Sequence, residues 1–220
     1  MSQHSLLRER YLQHKVKNSY SNIDDQTIKV AVKELVQLLI ENYPEHSFEI
    51  KSDLTFTQIK NYSKINMDNT FDYSRRKLIP DGGVIWMDNK YPILITEMKH
   101  QGTNNERQQE GLHRQAVGNA IERLGKNLRG FEVLYQNDDI LPFICFCWGC
   151  DFSEDTVIAK LLTMNCFQPI NQTYTNIDTF KRSKPFNIFT KIEEAWTVDE
   201  MVDKMIDIVE YSINYYEKEI

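Results

Sequence analysis

The stretch IPDGGVIWMDNKYPILITEMKHQ, residues 79–101, decides how this chain folds. Residues 84–87 and 93–96 are short runs rich in Ile and Val, which favour β-strands. Between them, Asp88-Asn89-Lys90 has the composition of a tight turn. The stretch therefore predicts a β-hairpin, and its charged residues lie at the open end, away from the turn.

Asp81 and Glu97 are equally distant along the chain from Asn89, at the middle of the turn. In an ideal antiparallel pair they would lie directly opposite each other, with Cβ atoms roughly 4.5–5.5 Å apart. Strand alternation places Lys99 on the same face as Glu97 and turns Met98 to the other face. The hairpin thus predicts two carboxylates and one ammonium group converging at its mouth.

Two carboxylates that close are costly to ionise unless a cation lies between them. Mg²⁺ is typically bound by one or two carboxylates together with water and substrate phosphates. Lys99 beside such an ion would steady a negatively charged transition state and help to activate a water molecule. This pattern predicts metal-assisted phosphodiester hydrolysis. A solvated Glu97–Lys99 ion pair at a polar hairpin end is the alternative, because short motifs often match by chance.

Pro-Asp followed by Glu-x-Lys is the signature of the PD-(D/E)xK nucleases, and longer strings extend the resemblance. IPDGG at 79–83, EMKHQG at 97–102 and GNAIER at 118–123 are similar to type II restriction endonucleases of the EcoRI kind. Weaker similarities follow in the family's order: QHK at 13–15, YPEHSF at 43–48, LPFICFCWG at 141–149 and QPIN at 168–171.

The resemblance implies an activity and a catalytic site. It implies a type II restriction endonuclease, a homodimer that hydrolyses double-stranded DNA at a palindrome and leaves 5′-phosphate and 3′-hydroxyl ends. Asp81 and Glu97, with the main-chain carbonyl of Met98, would bind Mg²⁺. Lys99 would orient and activate the attacking water. A cognate DNA methyltransferase is the implied genetic partner, because host DNA needs protection.

The same resemblance assigns DNA contacts to the start of a recognition helix in the major groove. Asn119 matches an adenine-reading position, and an Asn side chain bonds adenine N6 and N7 in a bidentate manner. The inner four base pairs are then predicted to be AATT, cut to leave 5′ overhangs. The predicted DNA-binding residues are Gln101, Asn119, Ala120, Glu122, Arg123, Lys126 and Asn127. From the residues alone, Asn119 and Glu122 form only an N-cap and a capping box.

The sequence departs from the family pattern at three places beside the predicted catalytic and DNA-reading residues. Ile79 stands where the family has lysine, the run from Lys99 to Gly118 is compact, and Lys160 stands where outer-base arginines are expected. The base pairs that flank AATT are therefore left unassigned.

Composition and length are those of an ordinary globular protein. The chain has 220 residues, 41% of them hydrophobic and 26% charged, and a net charge of −6. This predicts one nuclease domain over residues 1–220, with residues 1–22 a flexible or DNA-contacting N-terminal arm. The absence of a long apolar run or a signal-peptide core predicts a cytoplasmic protein without a membrane contact.

The predicted fold is a single-domain α/β restriction-endonuclease-like fold with a central mixed β-sheet flanked by helices. Cys145 and Cys147 are assigned to a buried strand rather than to a zinc site, because their spacing is not that of zinc ligands. The predicted helices begin at Asp24 or Asp25, at Asn119, at Thr156 and at Val198; strands are expected at 48–56 and 143–148, a loop with short structure at 58–78, and loops or an extended arm at 102–117 and 165–190.

Two other functions are compatible with the hairpin. One is a PD-(D/E)xK nuclease of DNA repair or nicking, which would not need the GNAIER segment. The other is a catalytically silent DNA-binding protein, against which the intact Asp81, Glu97 and Lys99 argue. A methyltransferase encoded beside this chain would favour the restriction enzyme over both.

Overall fold

The computed structural model describes residues 3–66, 72, 75–102, 104–111, 113, 119–175 and 184–218. The helices are α1 (Gln3–Asn42), α2 (Phe56–Ser63), α3 (Asn104–Gln109), α4 (Asn119–Leu134), α5 (Asp155–Met164) and α6 (Val198–Glu217), with a 3₁₀ turn at Cys150–Ser153. The strands are β1 (Phe48–Lys51), β2 (Leu54–Thr55), β3 (Lys77–Leu78), β4 (Gly83–Met87), β5 (Tyr91–His100), β6 (Phe143–Trp148) and β7 (Asn187–Lys191).

A five-stranded mixed sheet in the order β1-β4-β5-β6-β7 forms the centre of the fold. β1, β4 and β5 pair antiparallel, whereas β5, β6 and β7 pair parallel. β5 is thus the strand at which the sheet changes from one pattern to the other, and it is also the longest. The predicted α/β architecture with a central mixed sheet is confirmed.

Helices cover both faces of this sheet with separate cores. On one face α1 and α6 pack against the sheet through side chains such as Ile28 and Met205. On the other face α4 and α5 pack through Leu124 and Leu161. Residues on β4 and β5 contribute to both cores because side chains alternate between the two faces of a strand.

The alternation along β5 is interrupted once, by a β-bulge. Ile85 pairs with Leu94 but the next residue of β4, Trp86, pairs with Pro92, which leaves Ile93 unmatched. Ile93 and Leu94 consequently both face the core beneath α1 and α6, although they are neighbours in the chain. Every residue of β5 after the bulge lies on the opposite face from the one that strict alternation from Tyr91 would give it.

Because of the bulge, the prediction that Asp81 lies directly opposite Glu97 is wrong. Gly83 pairs with Thr96, so the continuation of the ladder aligns Asp81 with Met98 rather than with Glu97. The symmetric spacing about Asn89 holds only for the pairs next to the turn. The two carboxylates nevertheless meet, since Asp81 precedes β4 and its side chain reaches across the mouth of the hairpin.

Four other sequence predictions are corrected. The first helix does not begin at Asp24 or Asp25, because α1 is continuous from Gln3. The run predicted as an extended arm contains the short helix α3, and the loop predicted at 165–190 contains β7. Helix α2 begins at Phe56, inside the predicted strand 48–56, because a capping box between Thr55 and Gln58 starts a helix there.

The strand that carries the cysteines is confirmed. Cys145 and Cys147 are fully buried on β6, with their Sγ atoms 3.6 Å apart, and burial raises the pKa of the Cys145 thiol. In the parallel ladder they pair with Glu97 and Lys99. Their side chains therefore lie on the same face of the sheet as the two charged residues. Within the described ranges, no helix is both long and apolar enough to cross a membrane.

His46 connects the end of the hairpin turn to the end of α6. Its Nδ1 lies 2.8 Å from Asp88 Oδ2 and its Nε2 lies 3.2 Å from Glu217 Oε1. Burial lowers the pKa of His46, but the hydrogen bonds to Asp88 and Glu217 and the nearby charge of Glu45 outweigh it, so the net pKa is raised from 6.5. The imidazolium form is thus favoured in the folded state.

This contact predicts a pH-dependent contribution to stability. Because the folded pKa of His46 exceeds its unfolded value, the stabilisation is present below that unfolded value and is lost as pH rises through the folded pKa. Burial raises the pKa of Asp88, but the hydrogen bonds from Ser47 and His46 outweigh it and lower that pKa, so Asp88 stays ionised across this window. We expect the free energy of unfolding, measured in urea at a series of increasing pH values, to decrease more steeply with pH for wild type than for His46→Gln. Equal slopes would contradict the assignment.

Candidate active site

The mouth of the β4–β5 hairpin holds Asp81 in a bend just before β4. The backbone N–H of Gly82 donates to the carbonyl of Thr96 (3.1 Å), which fastens this bend to β5. A β-carbon at Gly82 would overlap the Thr96 hydroxyl and lie 2.9 Å from Ile28 Cγ1 on α1. Glycine is therefore required next to Asp81 because the bend is pressed between β5 and α1.

Three oxygen atoms converge on the ammonium group of Lys99. Its Nζ lies 2.6 Å from Asp81 Oδ2 and 2.8 Å from Glu97 Oε1, and donates to the carbonyl of Met98 at 2.9 Å. Backbone donors fix both carboxylates: Asp81 N–H donates to Glu97 Oε2 (3.2 Å), and Met98 N–H donates to Asp81 Oδ2 (3.1 Å). Hence the structure brings together all four residues that the sequence assigned to the catalytic centre.

Burial and charge set the protonation of this group. Glu97 is 1% exposed. Burial raises the pKa of its carboxyl; Lys99 opposes this, and Asp81 adds to it. Burial alone would lower the pKa of Lys99, but the charges of Glu97 and Asp81 outweigh it and raise that pKa. Lys99 is accordingly a cation and a hydrogen-bond donor here, able to stabilise negative charge but not to accept a proton.

Asn127 on α4 is a member of this site that the sequence did not place there. Its Nδ2 donates to Glu97 Oε1 at 3.0 Å, whereas the sequence assigned it to the DNA backbone. The available signal was its position: Asn127 follows Leu124 by three residues and precedes Phe131 by four, and both of those side chains are fully buried. A polar residue inside an apolar helical stripe needs a partner.

The N-terminal helix closes one side of the mouth. Burial raises the pKa of the Asp25 carboxyl, and the charge of Asp81 adds to this effect, so these two acids are close. Asp24 is buried, its pKa is raised to about 6 chiefly by burial, and its Oδ2 lies 3.8 Å from His100 Nδ1. His100 in turn stacks on Trp148 with ring centroids 3.9 Å apart. Asp24 and Asp25 were predicted to cap a helix, but they lie within α1 and contact residues beside the site instead.

The segment that follows β5 begins with Gln101, which is held in place by backbone contacts. The N–H of Gln101 donates to the carbonyl of Trp148 (3.0 Å), and its own carbonyl accepts from the N–H of Asp151 (3.2 Å). A β-carbon at Gly102 would lie 2.6 Å from Gly149 Cα, so the two backbones touch. Asn104 donates to both carboxylate oxygens of Asp151, at 3.1 and 3.0 Å. The predicted DNA contact Gln101 therefore sits on a braced segment.

The other predicted DNA contacts lie on α4. Glu122, Arg123 and Lys126 are exposed, and Glu122 Oε1 lies 4.0 Å from the ammonium of Lys160. The side chains of Asn119 and Ala120 lie outside the described part of the structure, as do Gly118 and, in the predicted arm at 102–117, residues 103, 112 and 114–117. The geometry of α4 therefore places the three exposed side chains on the helix that also carries Asn127.

A separate acidic cluster lies away from this mouth, at the end of α6. Glu45, His46 and Glu217 place ligand atoms within 4.8 Å of one another. Both ring nitrogens of His46 are already engaged, by Asp88 and by Glu217. The Asp81–Glu97 mouth is the better candidate for a hard divalent cation, because it offers carboxylate and carbonyl oxygens that already surround a cation.

Comparison with known proteins agrees with this geometry. The model of the family described as restriction endonuclease EcoRI matches residues 13–160, more than half of the chain. The type II restriction enzyme EcoRI of Escherichia coli is 27% identical over 153 residues, which are 63% of this chain and 55% of that enzyme. The type II restriction enzyme RsrI of Cereibacter sphaeroides is 21% identical over 231 residues, covering 86% of this chain and 83% of that enzyme. The first match thus spans only about half the length of the enzyme concerned.

Proposed function

The chain belongs to the EcoRI restriction endonuclease family, and on that premise we propose that it is a Mg²⁺-dependent type II restriction endonuclease. Its substrate would be double-stranded DNA with a palindromic site whose core is AATT. The observation that carries the proposal is the convergence of Asp81, Glu97 and the Met98 carbonyl on the ammonium of Lys99. Residues 1–220 then form one nuclease domain, with residues 1–22 as an arm available to DNA.

The residues of the mouth fit a hard divalent cation. Asp81, Glu97 and the Met98 carbonyl are oxygen donors of the type that Mg²⁺ prefers, and their approach to Lys99 demonstrates that they can surround positive charge. When bound, the ion would supply Lewis-acid stabilisation of the charge that develops on the phosphate. Asp81 and Glu97 would hold it, with both carboxylates kept in place by their backbone donors. The ammonium of Lys99, which lies among the same oxygens, would move aside to admit the ion.

Lys99 would contribute the second positive charge. As an ammonium it can donate to the attacking water and to a phosphate oxygen, which orients the water and stabilises the extra negative charge of the transition state. The new bond would form between the water oxygen and phosphorus while the bond from phosphorus to the 3′ oxygen breaks. The attacking water gives up one proton to solvent, and the departing 3′ oxygen takes one proton from solvent and leaves as a hydroxyl. The products are a 5′-phosphate and a 3′-hydroxyl.

Recognition is proposed for the exposed start of α4 and for the braced segment after β5. Asn119 would read adenine, with Ala120 beside it and Gln101 near the inner thymine. Arg123 and Glu122 would act near the inner bases, and Lys126 would contact the phosphate backbone. A homodimer would present two copies of these groups to the two halves of a palindrome, and a cognate methyltransferase would protect host DNA.

Digestion of a plasmid of known sequence with Mg²⁺, followed by sequencing of the fragment ends, tests the proposal. We expect fragments whose 5′ overhangs read AATT, no cleavage in EDTA, and specific binding without cleavage in Ca²⁺, which takes longer and looser coordination than Mg²⁺. Ends that lack AATT would overturn the predicted site while leaving the nuclease intact. Scattered nicks would favour a repair or nicking enzyme, and specific binding without any cleavage would favour a silent DNA-binding protein.

A further inference from the structure

Asn127 connects the helix proposed to read DNA with a carboxylate proposed to hold the metal. Asn127 and the exposed side chains of Arg123 and Lys126 all belong to α4. The amide of Asn127 turns toward the sheet instead, where its Nδ2 donates to Glu97 Oε1 at 3.0 Å. One helix thus offers two faces, one to solvent and one to the catalytic centre.

The contact completes the fixation of Glu97. Oε1 receives both the ammonium of Lys99 (2.8 Å) and the amide of Asn127 (3.0 Å), while Oε2 receives the N–H of Asp81 (3.2 Å). Of the three donors, only Asn127 comes from outside the hairpin. Asn127 consequently holds the Glu97 carboxylate relative to α4, and not only relative to its own strand.

The donor also fixes the orientation of Glu97. The side chain is 1% exposed, and both of its carboxylate oxygens accept from protein donors, so the carboxylate has one defined placement at the mouth. The outer partners of metal ligands commonly contribute about 10–100-fold to metal affinity or activity.

We propose that Asn127 is a positioning residue that holds the Glu97 carboxylate in its orientation from the recognition helix. This inference rests on the proposed function of Asp81, Glu97 and Lys99 as the catalytic centre. It assigns Asn127 to the metal site and not to the DNA backbone. Asn127 touches neither the phosphate nor the metal in this role, and acts through Glu97 alone.

The test compares Asn127→Ala and Asn127→Asp with wild type. Removal of the donor should lower the single-turnover cleavage rate by about 10–100-fold and raise the Mg²⁺ concentration needed for half-maximal rate. Asn127→Asp should show the larger change, since it adds a second negative charge beside Glu97.

A readout that does not depend on cleavage separates this inference from the proposed function. Binding of Ca²⁺ in the absence of DNA can be followed by calorimetric titration. The affinity for Ca²⁺ should be about 10–100-fold lower in Asn127→Ala than in wild type. The matched control is Asn214→Ala, on the exposed side of α6, where the amide only donates to the Glu210 carbonyl at 2.7 Å.

The outcomes are distinguishable. An unchanged Ca²⁺ affinity in Asn127→Ala, with melting temperature and cleavage as in wild type, would overturn the positioning role and leave the nuclease standing. A uniform loss of affinity for all DNA sequences, at unchanged Ca²⁺ affinity, would instead return Asn127 to the DNA backbone. If wild type cleaves no DNA but the Ca²⁺ affinity falls as expected in Asn127→Ala, the proposed function fails and the positioning role holds.

Discussion

Glu97→Gln should reduce single-turnover cleavage by at least about 10²–10³-fold, the usual effect of removing one preorganised charged group from an active site. The substitution keeps the shape of the side chain but removes its charge. The amide oxygen can still accept from Lys99 and Asn127, but the negative charge beside the Lys99 ammonium is lost. The amide NH₂ also replaces the oxygen that accepts from the Asp81 N–H at 3.2 Å. Because Glu97 is 1% exposed, solvent does not compensate for the loss.

The measurement for Glu97→Gln is single-turnover cleavage at saturating Mg²⁺, with DNA affinity measured separately in Ca²⁺ by fluorescence anisotropy. Binding of Ca²⁺ itself should weaken as well, because the proposed cation loses one of its carboxylates. Glu49→Gln on β1 is the matched control, since Glu49 is exposed and lies outside the mouth. Cleavage near the wild-type rate in Glu97→Gln would show that the catalytic carboxylate lies elsewhere.

Lys99→Met should lower the cleavage rate by a similar factor, about 10²–10³-fold. Unlike Glu97→Gln, it should not weaken the binding of divalent cations. Methionine keeps an unbranched side chain and removes the ammonium that now lies among Asp81, Glu97 and the Met98 carbonyl. Those oxygens are then left without a cation. Divalent cations should bind Lys99→Met at least as tightly as they bind wild type.

Calorimetric titration with Ca²⁺ and thermal melting with and without the ion check this prediction. The metal-free Lys99→Met protein should melt below wild type at neutral pH, because two close carboxylates repel each other, and added Ca²⁺ should restore much of the loss. Lys126→Met, exposed on α4, is the control for a removed lysine. Weaker Ca²⁺ binding in Lys99→Met than in wild type would contradict the proposed arrangement.

The sequence was sufficient to predict the elements that local pattern specifies. The hairpin, the buried strand at Phe143–Trp148 and the last helix follow from period and turn chemistry, and the structure has all three. Strand β7 was missed because Asn187–Lys191 is short and its pattern is weak. It forms because the neighbouring strand β6 offers it a parallel partner, which is information from outside the segment.

The group proposed to be catalytic was predictable because its members are close in sequence. Asp81, Glu97 and Lys99 all belong to one hairpin, whose two strands bring them together although the bulge shifts the predicted register. Asn127 approaches Glu97 from a different helix, and only tertiary packing creates that contact. The β-bulge at Ile93 could not be predicted either, since the composition of β5 does not indicate where its pairing with β4 shifts by one residue.

The extra residue at Ile93 makes insertions and deletions in β5 unequal in their consequences. A chain without Ile93 would pair Leu94 directly after Pro92, and the bulge would close with Glu97 and Lys99 still on their present face. One residue added between Leu94 and Glu97 would instead turn Met98 toward α4, and would turn Glu97 and Lys99 into the apolar layer beneath α1 and α6. The strand therefore tolerates the loss of its bulge residue, whereas an insertion after Leu94 exchanges its charged face for its apolar one.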